Sequence, residues 1–277
     1  MAGRKGKWSQ SKLDRYIREG YGSGKGQLYK PWITVSNSTS KGLSTRTPGW
    51  KTNRVHHFLS KKEMLLFYIF EWSPFIHDIR EQFPLLKLDF AQKIADEMRI
   101  KYYRCSETGT PYVLTTDFML SMEQEGKVVE VARTFKMSKD LQKKTVIEKF
   151  ELERRYYQAQ GIDWGILTEH EVPELLAKNI EWVYSAYWLE PTSEINIEEL
   201  KSLKPTLKDR LKNSKTQVNK VTTAMDKEMN FDRGISLYLF KHLVARKEIF
   251  IEDIQNTKIN GLLSTEKLKV VNSYSNE

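Results

Sequence analysis

Residues 111–135 constrain the fold of this chain more than any other stretch. Two strand-like runs, 112–122 and 127–132, flank the turn-prone Glu123-Gln124-Glu125-Gly126, the pattern of a β-hairpin. Val128, Val129 and Val131 suit a strand covered on at least one face, so other elements must pack on it. Ser60-x-x-Glu63 matches a helix capping box, and the apolar residues 64–72 behind it predict a helix buried on most sides. Residues 80–86 (REQFPLL) read as extended, because Pro84 excludes a helix interior. A long helix is expected over 139–160, with Leu141, Val146, Phe150 and Tyr157 at roughly helical spacing and Gly161 as its stop. Residues 163–168 (DWGILT) read as a further short strand. This order of elements predicts an α/β domain over 1–168.

After 168 the texture changes. Helices are expected at 170–187 and 236–246, with a linker and short helix at 193–203 that carries an acidic patch over 194–199. Residues 201–225 hold seven Lys/Arg against Asp209 alone, and a strand-like 248–252 precedes a turn at Asn260-Gly261. The expectation for 169–277 is a mostly helical, winged-helix-like domain.

Charge narrows the function. Residues 1–60 hold 12 Lys/Arg and 2 acids, a charge of +10, while the rest of the chain carries −1. One cationic end beside a balanced remainder points to a polyanionic partner, most simply nucleic acid. The single cysteine, Cys105, excludes an intrachain disulfide and fits a reducing, intracellular compartment. One cysteine and five histidines argue against a structural zinc site. The longest strongly apolar run, 64–70, falls far short of the ~20 residues a membrane span needs. Gly20, Gly22, Gly24 and Gly26 alternate in GYGSGKGQ without the context of a nucleotide-binding loop. They read either as a mobile arm or as backbone lying along phosphates beside Lys25 and Lys30.

Three acids are placed unusually. Glu63 lies on the buried helix, and Asp117 and Glu130 lie mid-strand, where acids are disfavoured and costly if buried unpaired. Neighbouring strands could project Asp117 and Glu130 to one face, and a helix beside them could add Glu63. Clustered carboxylates are the ligands Mg²⁺ takes alongside water and phosphate oxygens, and such ions activate water at a phosphodiester. The residues alone leave plainer roles open: a helix cap for Glu63, a loop contact for Asp117, a solvent-facing edge position for Glu130.

An acid, then about a dozen residues, then Glu-x-Lys on the next strand is the pattern of restriction-endonuclease-like nucleases. More specifically, the chain resembles the TnsA family, the endonuclease subunits of heteromeric cut-and-paste transposases. The segments that carry the resemblance are YKPWITV (29–35), RVHHFLS (54–60) with Glu63 following, DIREQFPLL (78–86), TTDF (115–118), EKFELERRYY (148–157) and NIEWVYS (179–185). It implies a restriction-endonuclease-like catalytic domain in which Glu63, Asp117, Glu130 and the Val131 carbonyl bind Mg²⁺, with Mn²⁺ able to substitute. It also implies phosphate contacts by Arg54, His56 and His57, added to those of Lys25 and Lys30. The activity implied is cleavage of the non-transferred strand at the 5′ ends of a transposon. The partners would be double-stranded DNA, the transposase TnsB and the AAA+ regulator TnsC, and the location the cytoplasm and nucleoid of a bacterium.

The family lysine belongs at position 132, where this chain has Ala132. Three accounts compete: a lysine exchanged to arrest cleavage, a site rerouted to Arg133 or Lys136, or a degenerate nuclease. Degeneration would leave a non-enzymatic adaptor bridging DNA, TnsB and TnsC. A stand-alone restriction-type endonuclease fits less well, because the matching segments extend outside the cleft. Glu153, Arg154 and Arg155 on the long helix read most simply as a solvated charged face.

Overall fold

The computed structural model describes residues 7–38, 44–192 and 195–271. Arg4, Lys5 and Glu194, which belong to the basic end and the acidic patch, lie outside the described residues. The chain divides into two compact units, Met1–Val172 and Pro173–Glu277.

The first unit runs α1 (Gln10–Arg18), β1 (Thr45–Pro48), β2 (Val55–Phe58), α2 (Lys61–Trp72), β3 (Ile76–Pro84), α3 (Leu88–Glu97), β4 (Thr115–Gln124), β5 (Lys127–Phe135), α4 (Lys144–Gln158) and β6 (Asp163–Leu167). Strands β1 and β2 form a small ribbon, and the main sheet has the order β3-β4-β5-β6. Its first three strands are antiparallel, and β6 is parallel to β5. A parallel pair needs a crossover, and α4 provides it. The unit is therefore a mixed α/β domain, as a restriction-endonuclease-like reading requires.

Residues opposite one another in register share a face. Arg80, Met119, Ala132 and Trp164 lie on one face, and Ile79, Leu120 and Val131 on the other. The first packs against Ala91 and Ile94 of α3 and Leu152 and Tyr157 of α4. On the second, Phe118 meets Phe58 of β2 at 6.3 Å and Phe70 of α2 at 5.1 Å between ring centroids. Helix α2 is apolar nearly all round because it is buried nearly all round, the expected relation.

Several boundaries depart from the sequence reading. β5 continues to Phe135, three residues past the expected end at 132, because β6 pairs with it as far as Phe135 opposite Leu167. α4 begins at Lys144 rather than 139, after a 3₁₀ turn at Ser138–Asp140. α3 lies in a stretch for which the pattern predicted nothing. The glycine run is a built loop: Gly22, at φ +79°, donates to the Lys30 carbonyl (2.6 Å), and Gly26 donates to Asp78 Oδ1 (3.1 Å). A Cβ on Gly22 would meet Pro84 Cγ at 2.1 Å, so close approach to β3 requires glycine there. The loop is therefore held against β3 and is not a loose arm.

The second unit runs α5 (Glu174–Tyr184), α6 (Ile197–Ser202), α7 (Lys204–Lys212), α8 (Val218–Glu228) and α9 (Ile235–Ala245), then β7 (Ile249–Ile251) antiparallel to β8 (Leu268–Val270). Its core forms on α9, where Leu239, Phe240 and Leu243 are fully buried. Asp226 of α8 fixes the start of α9 by accepting from the Gly234 and Ser236 amides, each at 2.8 Å. The basic stretch 201–225 resolves into α7 and α8.

Candidate active site

The site forms where the β4–β5 ladder opens. Pairing between these strands ends at Phe118 opposite Arg133, yet β5 continues to Phe135 beside β6. Past that point the Phe135 amide has no β4 carbonyl to meet, and a backbone donor must be satisfied. Asp117 takes over: its Oδ2 accepts from the Phe135 amide (2.7 Å) and the Thr134 hydroxyl (3.0 Å). Among the described residues, no hydrogen bond reaches Oδ1.

Glu63 reaches the same place from the first turn of α2. Ser60 caps the helix by accepting from the Glu63 amide (3.2 Å), and its hydroxyl donates to Glu63 Oε1 (2.7 Å). Oε2 accepts from the Leu59 amide (3.0 Å) and, more weakly, from Gln82 Nε2 (3.4 Å). The capping role foreseen for Glu63 is real, and the residue lines the same cavity as Asp117. Burial, then the Asp117 charge, push Glu63 up to about 7, against the pull of its donors.

Both carboxylates line one cavity of about 560 Å³, together with Thr134, Phe135, Lys136 and Lys149. Lys136 is anchored by its backbone amide to the Leu167 carbonyl (2.9 Å). Lys149 of α4 lies 3.1 Å from Glu153 Oε1, an ion pair without hydrogen-bond alignment. Glu153 is fully buried, and its Oε2 accepts from Thr116 Oγ1 (3.0 Å) and Trp164 Nε1 (3.3 Å). Burial lowers Lys149, but the charges of Glu153 and Asp117 outweigh it and leave the ammonium above its ordinary range.

The structure does not bring Glu130, Val131 or Ala132 into this cavity. Glu130 stands opposite Ser121 and Ala132 opposite Met119, four and two residues back along β5 from Thr134. Ala132 is fully buried among Leu152, Tyr157 and Trp164. An ammonium at 132 would enter the core. Glu130 belongs to a separate charged cluster, accepting from Arg80 (2.7 Å) and paired with Lys25 (2.9 Å). Burial would raise its carboxyl, but Lys25 and Arg80 hold it below its ordinary value. Val131 is paired with Leu120 and Asp163 within the ladder.

Two expected phosphate contacts are interior residues. Arg54 forms a two-pronged pair with Glu81 (2.5 and 2.8 Å) and donates to the Ile79 carbonyl (2.8 Å). His56 is fully buried between Glu81 (2.7 Å) and Thr52 (2.7 Å). Burial keeps His56 below its ordinary value. Burial would raise Glu81, yet His56 and the Arg54 guanidinium hold it well below the carboxylate range. These groups bind the β1–β2 ribbon to β3 and are not available to DNA. His57 is half-buried and accepts from the Val35 amide through Nδ1 (3.3 Å). Lys30 donates to the Glu19 carbonyl (3.2 Å) and sits 3.9 Å over Tyr21.

The donor set suits Mg²⁺, an ion held by one or two protein carboxylates with water and phosphate completing its shell. Two carboxylates line one cavity, and the charge of Asp117 raises the cost of charging Glu63. No group of three His, Cys, Asp or Glu side chains converges among the described residues. The carboxylates the cavity offers an ion are those of Glu63 and Asp117.

Sequence reasoning missed Thr134, Lys149 and Glu153, and ranked Lys136 only as a substitute. Two signals pointed to them. Thr134-Phe135-Lys136 repeats the spacing of Glu-x-Lys, and Lys149 and Glu153 sit at i, i+4 on one helix face.

Comparison with known proteins covers both units. Residues 73–169 match the family profile described as TnsA-like endonuclease N terminal, and residues 171–252 that described as TnsA endonuclease C terminal. The chain is 40% identical over 205 residues to the Transposon Tn7 transposition protein TnsA of Escherichia coli, covering 74% of this chain and 72% of that protein.

Proposed function

The chain belongs to the TnsA family of transposon endonuclease subunits, and from that premise we propose that the Glu63–Asp117 cavity hydrolyses a DNA phosphodiester with Mg²⁺. The observation that carries the reading is the convergence of Glu63, Asp117 and Lys136 on one cavity where β4 and β5 separate.

Glu63, Asp117 and the Phe135 carbonyl would hold the ion. Bound Mg²⁺ supplies a Lewis acid for the phosphate and lowers the pKa of an attacking water. Thr134 and the Phe135 amide lock Asp117 in place through Oδ2, which leaves Oδ1 for a ligand. Lys136 orients the attacking water and offsets the negative charge that grows on the phosphorane. In this chain the Glu-x-Lys pattern is taken by Thr134-Phe135-Lys136, with a hydroxyl in place of the acid. Of the three accounts of Ala132, the one in which Lys136 supplies the cation has this geometric support, and it needs no bulge. The adaptor alternative loses its motive, since Ala132 is a core residue.

The finer reading follows the family. The scissile strand is the non-transferred strand at the 5′ ends of the element. TnsB supplies the other cuts, and TnsC is met by the second unit. We read that unit as winged-helix-like: α7 and α8 joined by a short turn, then α9 and the β7–β8 ribbon. Nicking of a plasmid carrying the element's ends, with its partner transposase present, tests the site. Asp117→Asn should lower Mg²⁺-dependent nicking at least about 100-fold. Undiminished nicking by that variant would overturn the assignment.

A further inference from the structure

The cavity holds a second ammonium that the hydrolytic roles of Glu63, Asp117 and Lys136 leave unused. Lys149 comes from α4, an element that supplies no metal ligand, and its side chain is 32% exposed at the cavity, whereas that of Glu153 is fully enclosed. Glu153 is held on its other oxygen by Thr116 of β4 and Trp164 of β6. Strand, helix and crossover strand thus converge on one carboxylate whose free side grips one ammonium. Buried ion pairs add little to stability, and a well-packed apolar pair would serve the core as well or better. An enclosed carboxylate that aims a lysine into a reactive cavity is costly unless the lysine does something there.

We propose that Lys149 is a second catalytic cation, bonding a non-bridging oxygen of the DNA phosphate at the cut, with Glu153 as its positioning residue. The assignment rests on the nuclease reading of the cavity. Lys136, just past the end of β5, and Lys149 of α4 enter from different segments, so they can serve the attacking water and the phosphate separately. A lysine is suited to the second task as a compact point charge with three donors. The Glu153 carboxylate at 3.1 Å and the Thr115 carbonyl at 3.5 Å hold the ammonium before substrate arrives, so less rotamer freedom is lost on binding.

The full chain tests this in two readings. In Mg²⁺, with the partner transposase present, Lys149→Gln should nick about 100-fold more slowly, and Lys149→Arg should recover most of the loss. In Ca²⁺, used as a non-cleaving stand-in, Lys149→Gln should flatten the salt dependence of DNA binding by about 0.9 in log–log slope, the effect of one phosphate neutralised. Glu153→Gln should slow nicking about 10-fold, and adding it to Lys149→Gln should cost nothing more. Asp117→Asn separates the two claims: if it still nicks, the nuclease reading fails. If Asp117→Asn is inactive while Lys149→Gln nicks and binds like the parent, the second cation is wrong and the nuclease reading stands. A folded Glu153→Gln that slows nicking independently of Lys149 would overturn the positioning role.

Discussion

Asp117 joins a structural duty to the proposed chemistry in one side chain. Its Oδ2 replaces the β4 carbonyl that the Phe135 amide would otherwise lack, while the rest of the carboxylate faces the cavity. A substitution there tests both roles, which is why asparagine, keeping an oxygen acceptor, is a better probe than alanine. Ala132 is the contrasting case. Its methyl fills a site enclosed by Leu152, Tyr157 and Trp164, and a lysine would bring excess volume and an unpaired charge. Ala132→Lys is therefore expected to destabilise the protein by about 3 kcal/mol or more, read as a lower urea midpoint, and to add no nicking activity. A stable, hyperactive Ala132→Lys protein would mean that residue 132 faces the cavity and that β5 sits in a different register.

At the scale of elements, α2 carries two strained carboxyls. Glu63 stands in its first turn and Glu71 in its last, and burial pushes each to about 7 from an ordinary 4.5. Between those values the folded protein binds more protons than the unfolded chain, so stability falls as pH rises from about 4.5 to 7. In metal-free buffer, urea titrations at pH 5 and pH 8 should show this loss, and Glu71→Gln should shrink it. An equal loss in the variant would show that Glu71 does not contribute.

The same scale explains what was legible in the sequence. The Ser60–Glu63 cap, the buried α2, the hairpin and the crossover helix α4 follow from local patterns and were readable. The end of β5 was not, because Thr134 and Phe135 stay in a strand only through β6, about thirty residues later. Laying the Glu-x-Lys pattern on residues 130–132 placed the expected lysine at a core position and drew Glu130 into the expected metal-ligand set. Arg54 and His56 misled for a related reason: the partner that buries them, Glu81, lies on a different strand, and no local pattern announces it. Glu153 reads as one of a charged run, and only the packing of α4 on the sheet separates it from its exposed neighbours Arg154 and Arg155.

For the whole molecule, the charge asymmetry keeps its meaning but changes its location. Part of the basic end is spent inside the first unit, on Arg54 with Glu81 and Lys25 with Glu130. Other cations of that end, Lys7, Lys12, Arg15 and Arg18, border one surface depression on α1, with Lys7 paired to Glu107 and Arg15 to Glu19. Leu13 and Tyr16 fasten that helix to Trp32, so its basic face is presented on a fixed support. Arg15→Gln with Arg18→Gln should reduce the log–log salt slope of DNA binding by about 0.9 for each phosphate no longer neutralised, and an unchanged slope would remove α1 from the DNA surface. No helix among the described residues is long and apolar enough to cross a membrane.

On the proposed reading the lysine of the nuclease site is Lys136, just past the end of β5, and Glu130 and Ala132 stand outside the cavity. Nicking rates of Lys136→Ala and Glu130→Gln, measured side by side in Mg²⁺ with the partner transposase present, test it most directly. The geometry predicts a loss of about 100-fold or more for Lys136→Ala and a rate within a few-fold of the parent for Glu130→Gln. A crippled Glu130→Gln beside an active Lys136→Ala would contradict it.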